Sequence, residues 1–282
     1  MLSALIENKP IFYYDGVDPV VSYLKRGILF GYQNWMDLRS LIIQEDQDSY
    51  IVDCGAHIGT FSFVPALFDN LNMILIEGAK DNYDCLYNTF ALKDNVVIHH
   101  SIILDSVGAC DFTQQYGPFG YATALPEGNR KSTTLDVLLK DKKISAIKLD
   151  IEGNEPEALM GAYEVLSKNK PPMLIEINGH CLRMQNKTPI DIFNQLDILG
   201  YLYFILMKNQ TLARIDKNTS YPFCVNDIVA IHRNNIGDYI GSYTFIPSMT
   251  QEQMLAIYAE NHKNSNDDCQ KYLQSLNIGN SI

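Results

Sequence analysis

No stretch of this sequence approaches the ~18 consecutive apolar residues of a membrane-spanning helix. The opening run MLSALIENKPIFYYDG meets Glu7 and Lys9 too early to form the core of a signal peptide. Runs of Lys and Arg are missing as well: 22 Lys+Arg stand against 33 Asp+Glu, a formal net charge of −11 with a pI near 4.9. Nonspecific nucleic-acid binding works by neutralising phosphates with basic side chains, so no nucleic-acid partner is expected. The six cysteines, Cys54, Cys85, Cys110, Cys181, Cys224 and Cys269, include no CxxC pair and no Cys/His cluster. That excludes a zinc signature, and the chain is too long for a disulfide scaffold. Scattered thiols of this kind read as reduced, in a cytoplasmic protein. Internal repeats and low-complexity tracts are absent too.

What is present suits a globular protein. Hydrophobic residues make up 46% of the 282 and charged ones 20%, a balance that fills a core and rules out disorder for the bulk of the chain. From about residue 50, short β-branched runs alternate with helical patterns, which reads as a parallel sheet covered by helices. Strands are expected at 50–53, 73–77, from 96, at 146–150, 173–177, 202–206 and 227–232. The intervening helices are expected to start near 60, to run over 81–92 with Tyr83, Leu86, Tyr87 and Phe90 buried, to run over 134–140, and to start at Pro156 with Leu159, Ala162, Tyr163 and Leu166 buried. Thr188, Pro189 and Gly200 punctuate one more. This rhythm defines a doubly wound α/β domain at 48–235. An N-terminal extension, 1–47, has a helical piece around Trp35–Ile43 and is expected to pack on the core or over its site. A C-terminal helical appendage occupies 236–282, with an amphipathic helix at 250–260.

The strongest local signal is Asp53-Cys54-Gly55-Ala56-His57-Ile58-Gly59-Thr60, after a strand and before a helix. Gly55 permits a sharp turn and close approach of a ligand to backbone, and a following helix start offers unpaired N–H groups. A dinucleotide fingerprint would need a second glycine two positions on. His57 stands there, so a diphosphate would have to pass an imidazole. The turn suits a nucleoside without phosphates, and Asp53 suits a ligand with positive charge. Glu77 ends the second strand 24 residues after Asp53, near the ~20-residue offset at which an acid grips ribose hydroxyls.

Ile51 to Ser62 resembles the first S-adenosylmethionine motif of the FkbM-type methyltransferase family. Three further blocks fit that family in order: Thr133-Thr134-Leu135-Asp136, then Lys148-Leu149-Asp150-Ile151-Glu152-Gly153-Asn154-Glu155 with Leu159-Met160-Gly161-Ala162, and Ile175-Glu176-Ile177. The resemblance spans about 50–178 and continues weakly to 235. It implies a class I methyltransferase fold, Rossmann-like and doubly wound, with a seven-stranded sheet whose last strand is antiparallel. It also implies S-adenosyl-L-methionine as cofactor and methyl transfer, usually to oxygen. By resemblance, Asp53, Gly55, Ala56, His57 and Gly59 line the methionine and ribose parts of the cofactor, and Glu77 holds the ribose. Ser101 and Ile102 lie beside adenine, and Asp150 faces the amino group or the reacting methyl. His57 departs from the Asn often found at its position.

Apart from any family, Lys148 inside an apolar run must find a carboxylate partner, because burying it alone costs several kcal/mol. Asp150 and Glu152 follow at period two and share its face if extension continues. His180, just after the fifth strand, is the candidate general base for an alcohol acceptor. His99 and His100 read as structural. Asp150, Glu176 and Asn178 form an alternative oxygen-rich site for Mg²⁺, which is not favoured. The stretch Tyr116–Arg130 is an acceptor-facing flap or a surface hairpin. The reading is an S-adenosylmethionine-dependent O-methyltransferase acting on a small molecule or carbohydrate, with catalytic roles for Asp150 and His180. An NAD-dependent oxidoreductase or epimerase and an inactive binding protein are its rivals.

Overall fold

The run Met73-Ile74-Leu75-Ile76-Glu77 is buried over its whole length, as a strand covered on both faces must be. It sits inside a central sheet in a computed structural model that describes residues 1–16, 18–43, 46–116, 119–124, 128–207, 209–217 and 225–246. The expected helix at 250–260 and most of the C-terminal appendage lie outside the described residues.

The chain opens with a hairpin, β1 (Leu2–Ile6) and β2 (Lys9–Tyr13), and continues through helices α1 (Pro19–Leu24) and α2 (Tyr32–Ser40). The doubly wound part follows as β3 (Tyr50–Cys54), α3 (Phe63–Leu67), β4 (Met73–Glu77), α4 (Lys80–Phe90) and β5 (Val96–His100). A small sheet comes next, from β6 (Ile102–Ile103), β7 (Gly108–Tyr116), β8 (Phe119–Ala124) and β9 (Arg130–Thr133). The chain re-enters the main sheet through α5 (Leu135–Leu138), β10 (Ile144–Leu149), α6 (Glu155–Met160), α7 (Tyr163–Asn169) and β11 (Met173–Asn178). It ends with α8 (Gly179–Met184), α9 (Pro189–Ile198), β12 (Tyr201–Met207), β13 (Thr211–Arg214), β14 (Val225–His232), a 3₁₀ turn at Arg233–Tyr239 and β15 (Thr244–Ile246).

The main sheet runs β15-β13-β12-β14-β11-β10-β3-β4-β5. Strands β5, β4, β3, β10 and β11 are mutually parallel, and β14 is inserted antiparallel between β11 and β12. This is the class I methyltransferase order, with all seven expected strands. Among the described residues the sheet has nine strands rather than seven, because β13 and β15 extend the edge beyond β12. The sheet therefore reaches Ile246, past the expected boundary at 235. Alternating residues build two cores: Ile51, Met73, Leu75, Ala146, Leu174 and Val229 face the N-terminal helices and α4, while Val52, Ile74, Ile76, Ile147 and Ile175 face α6, α7 and α9.

Several elements differ from the sequence reading. The N-terminal extension is not purely helical, since β1 and β2 precede its helices, and α2 begins at Tyr32 and ends at Ser40. The helix expected from Thr60 shrinks to Phe63–Leu67, with Pro65 inside it. In α4 the buried face is Asn82, Cys85, Leu86 and Phe90, and Tyr87 is exposed. The helix expected from Pro156 is two, broken at Gly161, where a Cβ would stand 2.4 Å from the carbonyl oxygen of Leu104. Tyr163 is consequently turned to solvent. The cap of α5 is Thr134, whose Oγ1 accepts from Val137 N–H at 3.2 Å. Asp136 caps α7 instead, accepting from Glu164 N–H at 3.0 Å and Val165 N–H at 2.8 Å. Asp136→Ala is expected to remove about 1 kcal/mol of stability, read as a lower urea midpoint with an unchanged m-value.

Candidate functional site

Strands β3, β4, β10 and β11 all end at one edge of the sheet, where a doubly wound fold leaves a crevice. The crevice is a cavity of about 490 Å³. Its floor begins at the turn after β3. Gly55 there has φ +84°, and a Cβ on it would stand 1.7 Å from the carbonyl oxygen of Asp150. The turns after β3 and β10 thus touch backbone to backbone, and only glycine fits between them. Asp150 N–H donates to Cys54 O at 3.0 Å across the same junction.

Lys148 is buried beneath that junction. Its Nζ lies 3.0 Å from Asp150 Oδ2 and 3.5 Å from Asp53 Oδ1, and donates to Gly55 O at 3.3 Å. Burial alone would pull the ammonium pKa down, but the charges of Asp150 and Asp53 outweigh it and hold the pKa above the usual lysine value. The carboxylate partner required by the sequence is therefore double. Asp53 is fully buried, with Ser62 Oγ donating to its other oxygen at 2.6 Å, so its side chain fastens the floor and does not line the cavity. Gly59 likewise sits outside the lining, with φ +90° and packed where a Cβ would strike Phe90 and Leu86. The turn presents Cys54, Gly55, Ala56 and His57 to the cavity, and the Asp53 side chain and Gly59 pack behind it.

Gly55, Ala56, His57, Glu77, Ser101, Ile102, Asp150 and His180 all border the cavity. Glu77 joins two turns, accepting His57 N–H at 2.8 Å on Oε2 and Ala79 N–H at 2.6 Å on Oε1. Each oxygen keeps a second lone pair for a ligand. His57 has φ +53°, a left-handed conformation uncommon for a side chain of its size, and its Nε2 lies 3.3 Å from Asp18 Oδ2. The imidazole is thus turned towards the residue that caps α1. His99 and His100 stay out of the lining, and His100 stacks on Tyr83 with ring centroids 4.6 Å apart.

The far wall is acidic. Ligand oxygens of Asp150, Glu152 and Glu176 lie within 4.8 Å of one another. Glu152 thus joins Asp150 and Glu176 of the Mg²⁺ alternative, and the Asn178 amide donates to Glu152 Oε2 at 3.1 Å. Cys181 Sγ donates to the same oxygen at 3.0 Å. Burial, then the charge of Asp150, pushes both Glu152 and Glu176 above the ordinary carboxylate pKa. Behind them Glu155 is fully buried, its Oε1 accepting Ile151 N–H at 2.9 Å and Gly153 N–H at 3.2 Å, and burial lifts its pKa to about 7. The acidic motif after Lys148 is thereby divided: Asp150 and Glu152 border the cavity, and Glu155 braces the turn. His180 is exposed, with its backbone N–H on Asn178 Oδ1.

Sequence reasoning missed the residues of the N-terminal segment that close the cavity, Phe30, Gly31 and Asn34, together with Cys181 and Met184 of α8. Nothing in their local pattern marks them, because they reach the site through tertiary packing. The Tyr116–Arg130 stretch takes in the last residue of β7, all of β8 and the first residue of β9; residues 117–118 and 125–127, and the side chains of 114–127, lie outside the described residues.

Among the described residues no helix is long and apolar enough to cross a membrane. The family model for the methyltransferase FkbM domain matches residues 53–203. No curated protein matches the chain. Among solved structures, methyltransferase FkbM from Methylobacillus flagellatus KT is similar at 19% identity and TM-score 0.46, over 76% of this chain and 52% of that one. The chain thus spans about half the length of that structure. Magnesium protoporphyrin IX methyltransferase from Synechocystis PCC 6803, solved with bound SAM, is similar at 13% identity and TM-score 0.41, over 79% and 88%.

Gly55→Ala is expected to cost on the order of 3 kcal/mol or more, through a clash and a strained φ. Gly108→Ala, with nothing within 4 Å of its Cβ, should stay within about 0.5 kcal/mol of the parent in the same urea titration. A raised carboxylate pKa means the folded state keeps a proton that the unfolded state has lost. Glu155 therefore makes stability fall as pH rises from about 4.5 towards about 7. Glu155→Gln is expected to flatten that part of the pH–stability curve, an effect of about 3 kcal/mol at full size.

Proposed function

The chain belongs to the FkbM methyltransferase family, and from that premise we propose that the cavity binds S-adenosylmethionine and that the enzyme methylates a hydroxyl on a small molecule or carbohydrate. The carrying observation is the pairing of Glu77, held at the tip of β4 by two backbone N–H groups, with a turn that carries His57 where a dinucleotide fingerprint has its second glycine. An acid without a phosphate cradle fits a nucleoside and not a dinucleotide.

In this reading Glu77 accepts from the ribose hydroxyls. The backbone of Gly55, Ala56 and His57 covers the methionine and ribose, and Ser101 and Ile102 border the adenine. The cofactor supplies an electrophilic methyl on a positively charged sulfur. The carboxylate-rich wall favours such a cation electrostatically, and Asp150 accepts from its amino group. Lys148 holds Asp150 in place, so its role is positioning. Methyl transfer is an in-line displacement, and most of the protein's contribution is orientation and exclusion of water. His180, at the cavity mouth, takes the proton released from the acceptor hydroxyl on its imidazole. Asp53 acts through Lys148 and Ser62, not on the ligand itself.

Calorimetric titration tests the cofactor assignment. S-adenosylhomocysteine is expected to bind with a one-to-one stoichiometry and NAD⁺ not at all, and Glu77→Gln is expected to weaken S-adenosylhomocysteine about tenfold, ~1.4 kcal/mol. Tight NAD⁺ binding without S-adenosylhomocysteine binding would overturn the reading in favour of an oxidoreductase.

A further inference from the structure

Residues 1–52 lie outside the span matched by the family model, yet Pro19, Val20, Phe30, Gly31 and Asn34 of this segment line the cavity. Phe30 borders the cavity while 48% exposed, with Tyr23 behind it at 5.6 Å between ring centroids. A half-exposed phenylalanine on a cavity wall presents an apolar face with no partner from the chain on its open side. Gly31, at φ +85°, lets the next residues press onto Phe61, where a Cβ would already be 3.3 Å from the Phe61 backbone. Asn34 then reaches the sheet, its Nδ2 donating to Asp227 Oδ2 at 2.8 Å.

The wall facing this segment is set by strand register. Glu176 and Asp227 are direct partners across β11 and β14, and Leu149 pairs with Ile175, which brings Asp150 level with Glu176 on the next strand. Three carboxylates stand side by side on one face, an arrangement that costs stability unless each finds a donor. Lys148 serves Asp150 and Asn34 serves Asp227. Glu176, between them, has an oxygen, Oε2, with no hydrogen-bond partner among the described residues.

This combination selects a ligand by its chemistry. Carboxylates crowded together in this way take a hydrogen-bond donor or a positive charge readily and a further negative charge poorly, so the complementary molecule brings donors and no negative charge. An aromatic face that lines the same cavity as a group of acceptors suits a molecule with one C–H surface and an edge of hydroxyl or ammonium donors. We propose that the N-terminal segment completes an acceptor subsite for a neutral or amine-bearing sugar ring, with Phe30 against the C–H face and Glu176 accepting from a ring hydroxyl or ammonium. Asn34 holds Asp227, the partner of Glu176 on β14 that stands outside the cavity lining, and is a positioning residue. Sugars carrying carboxylate or phosphate are excluded by the same wall. The proposal rests on the methyltransferase reading only in naming this ligand the methyl acceptor.

Saturation-transfer NMR tests it on the full chain, with S-adenosylhomocysteine present and EDTA throughout so that the carboxylates carry no divalent ion. The probes are methyl glucoside, methyl glucosaminide and methyl glucuronide. Saturation is expected on the ring C–H protons of the first two and not on the glucuronide. Phe30→Ala, a half-exposed position whose loss leaves the core intact, is expected to remove that saturation. Glu176→Gln is expected to weaken the glucosaminide at least tenfold and to admit the glucuronide. Equal binding of all three sugars, binding unaffected by Phe30→Ala, or no sugar binding while calorimetry shows S-adenosylhomocysteine bound, would overturn the subsite alone. Failure of S-adenosylhomocysteine to bind would instead overturn the cofactor assignment beneath it.

Discussion

A single buried ammonium organises the working edge of this molecule. Lys148 lies on β10 between two carboxylates, Asp53 on β3 and Asp150 just beyond its own strand, and also bonds the carbonyl of Gly55. Removing one partner of such a buried set leaves an uncompensated charge in a dry interior, a loss of about 3–5 kcal/mol. The ammonium therefore fixes how β3 and β10 end relative to each other. Gly55 completes the junction by letting the two turns meet with no Cβ between them. Every group placed at the site hangs from this seam: Glu77 through its bond to His57, Glu152 and Glu176 through the turn and strand that follow Asp150.

The same seam explains the polarity of the cavity. Lys148 is already committed to Asp53 and Asp150, so the carboxylates beyond it, Glu152 and Glu176, meet little positive charge from the chain. They favour a cationic or hydrogen-donating ligand and resist an anionic one. A nucleoside carrying a sulfonium and an amino group satisfies that preference, and a diphosphate violates it by charge.

Much of this was legible in the sequence where local and global signals agree. The strands β3, β4, β10 and β11 are short apolar runs buried on both faces, and the turn after β3 carries the one glycine that its geometry demands. The need of Lys148 for a carboxylate followed from burial alone. Features set by distant contacts were not legible. The break at Gly161 comes from the Leu104 carbonyl pressing on the helix, which no helical periodicity records. The β1–β2 hairpin turns through Glu7 and Asn8 at φ +49° and +61°, and Glu-Asn lacks the glycine by which such a turn is usually read. Asp53 was expected in the cavity because an acid at a strand end before a glycine turn reads as ligand-facing; the parity of β3 turns it towards Lys148 instead. Phe30 and Asn34 carry no motif at all, and their place at the site is a consequence of how α1 and α2 fold back over the sheet.

The central claim is that this crevice is a nucleoside site oriented by Glu77 at one end and by the acidic wall at the other. A crystal structure of the chain soaked with S-adenosylhomocysteine tests it most directly. The account predicts the ribose hydroxyls on Glu77, the amino group on Asp150 and the sulfur directed at the space between Phe30 and Glu176. Ligand density elsewhere on the protein, or in the crevice with the ribose remote from Glu77, would contradict it.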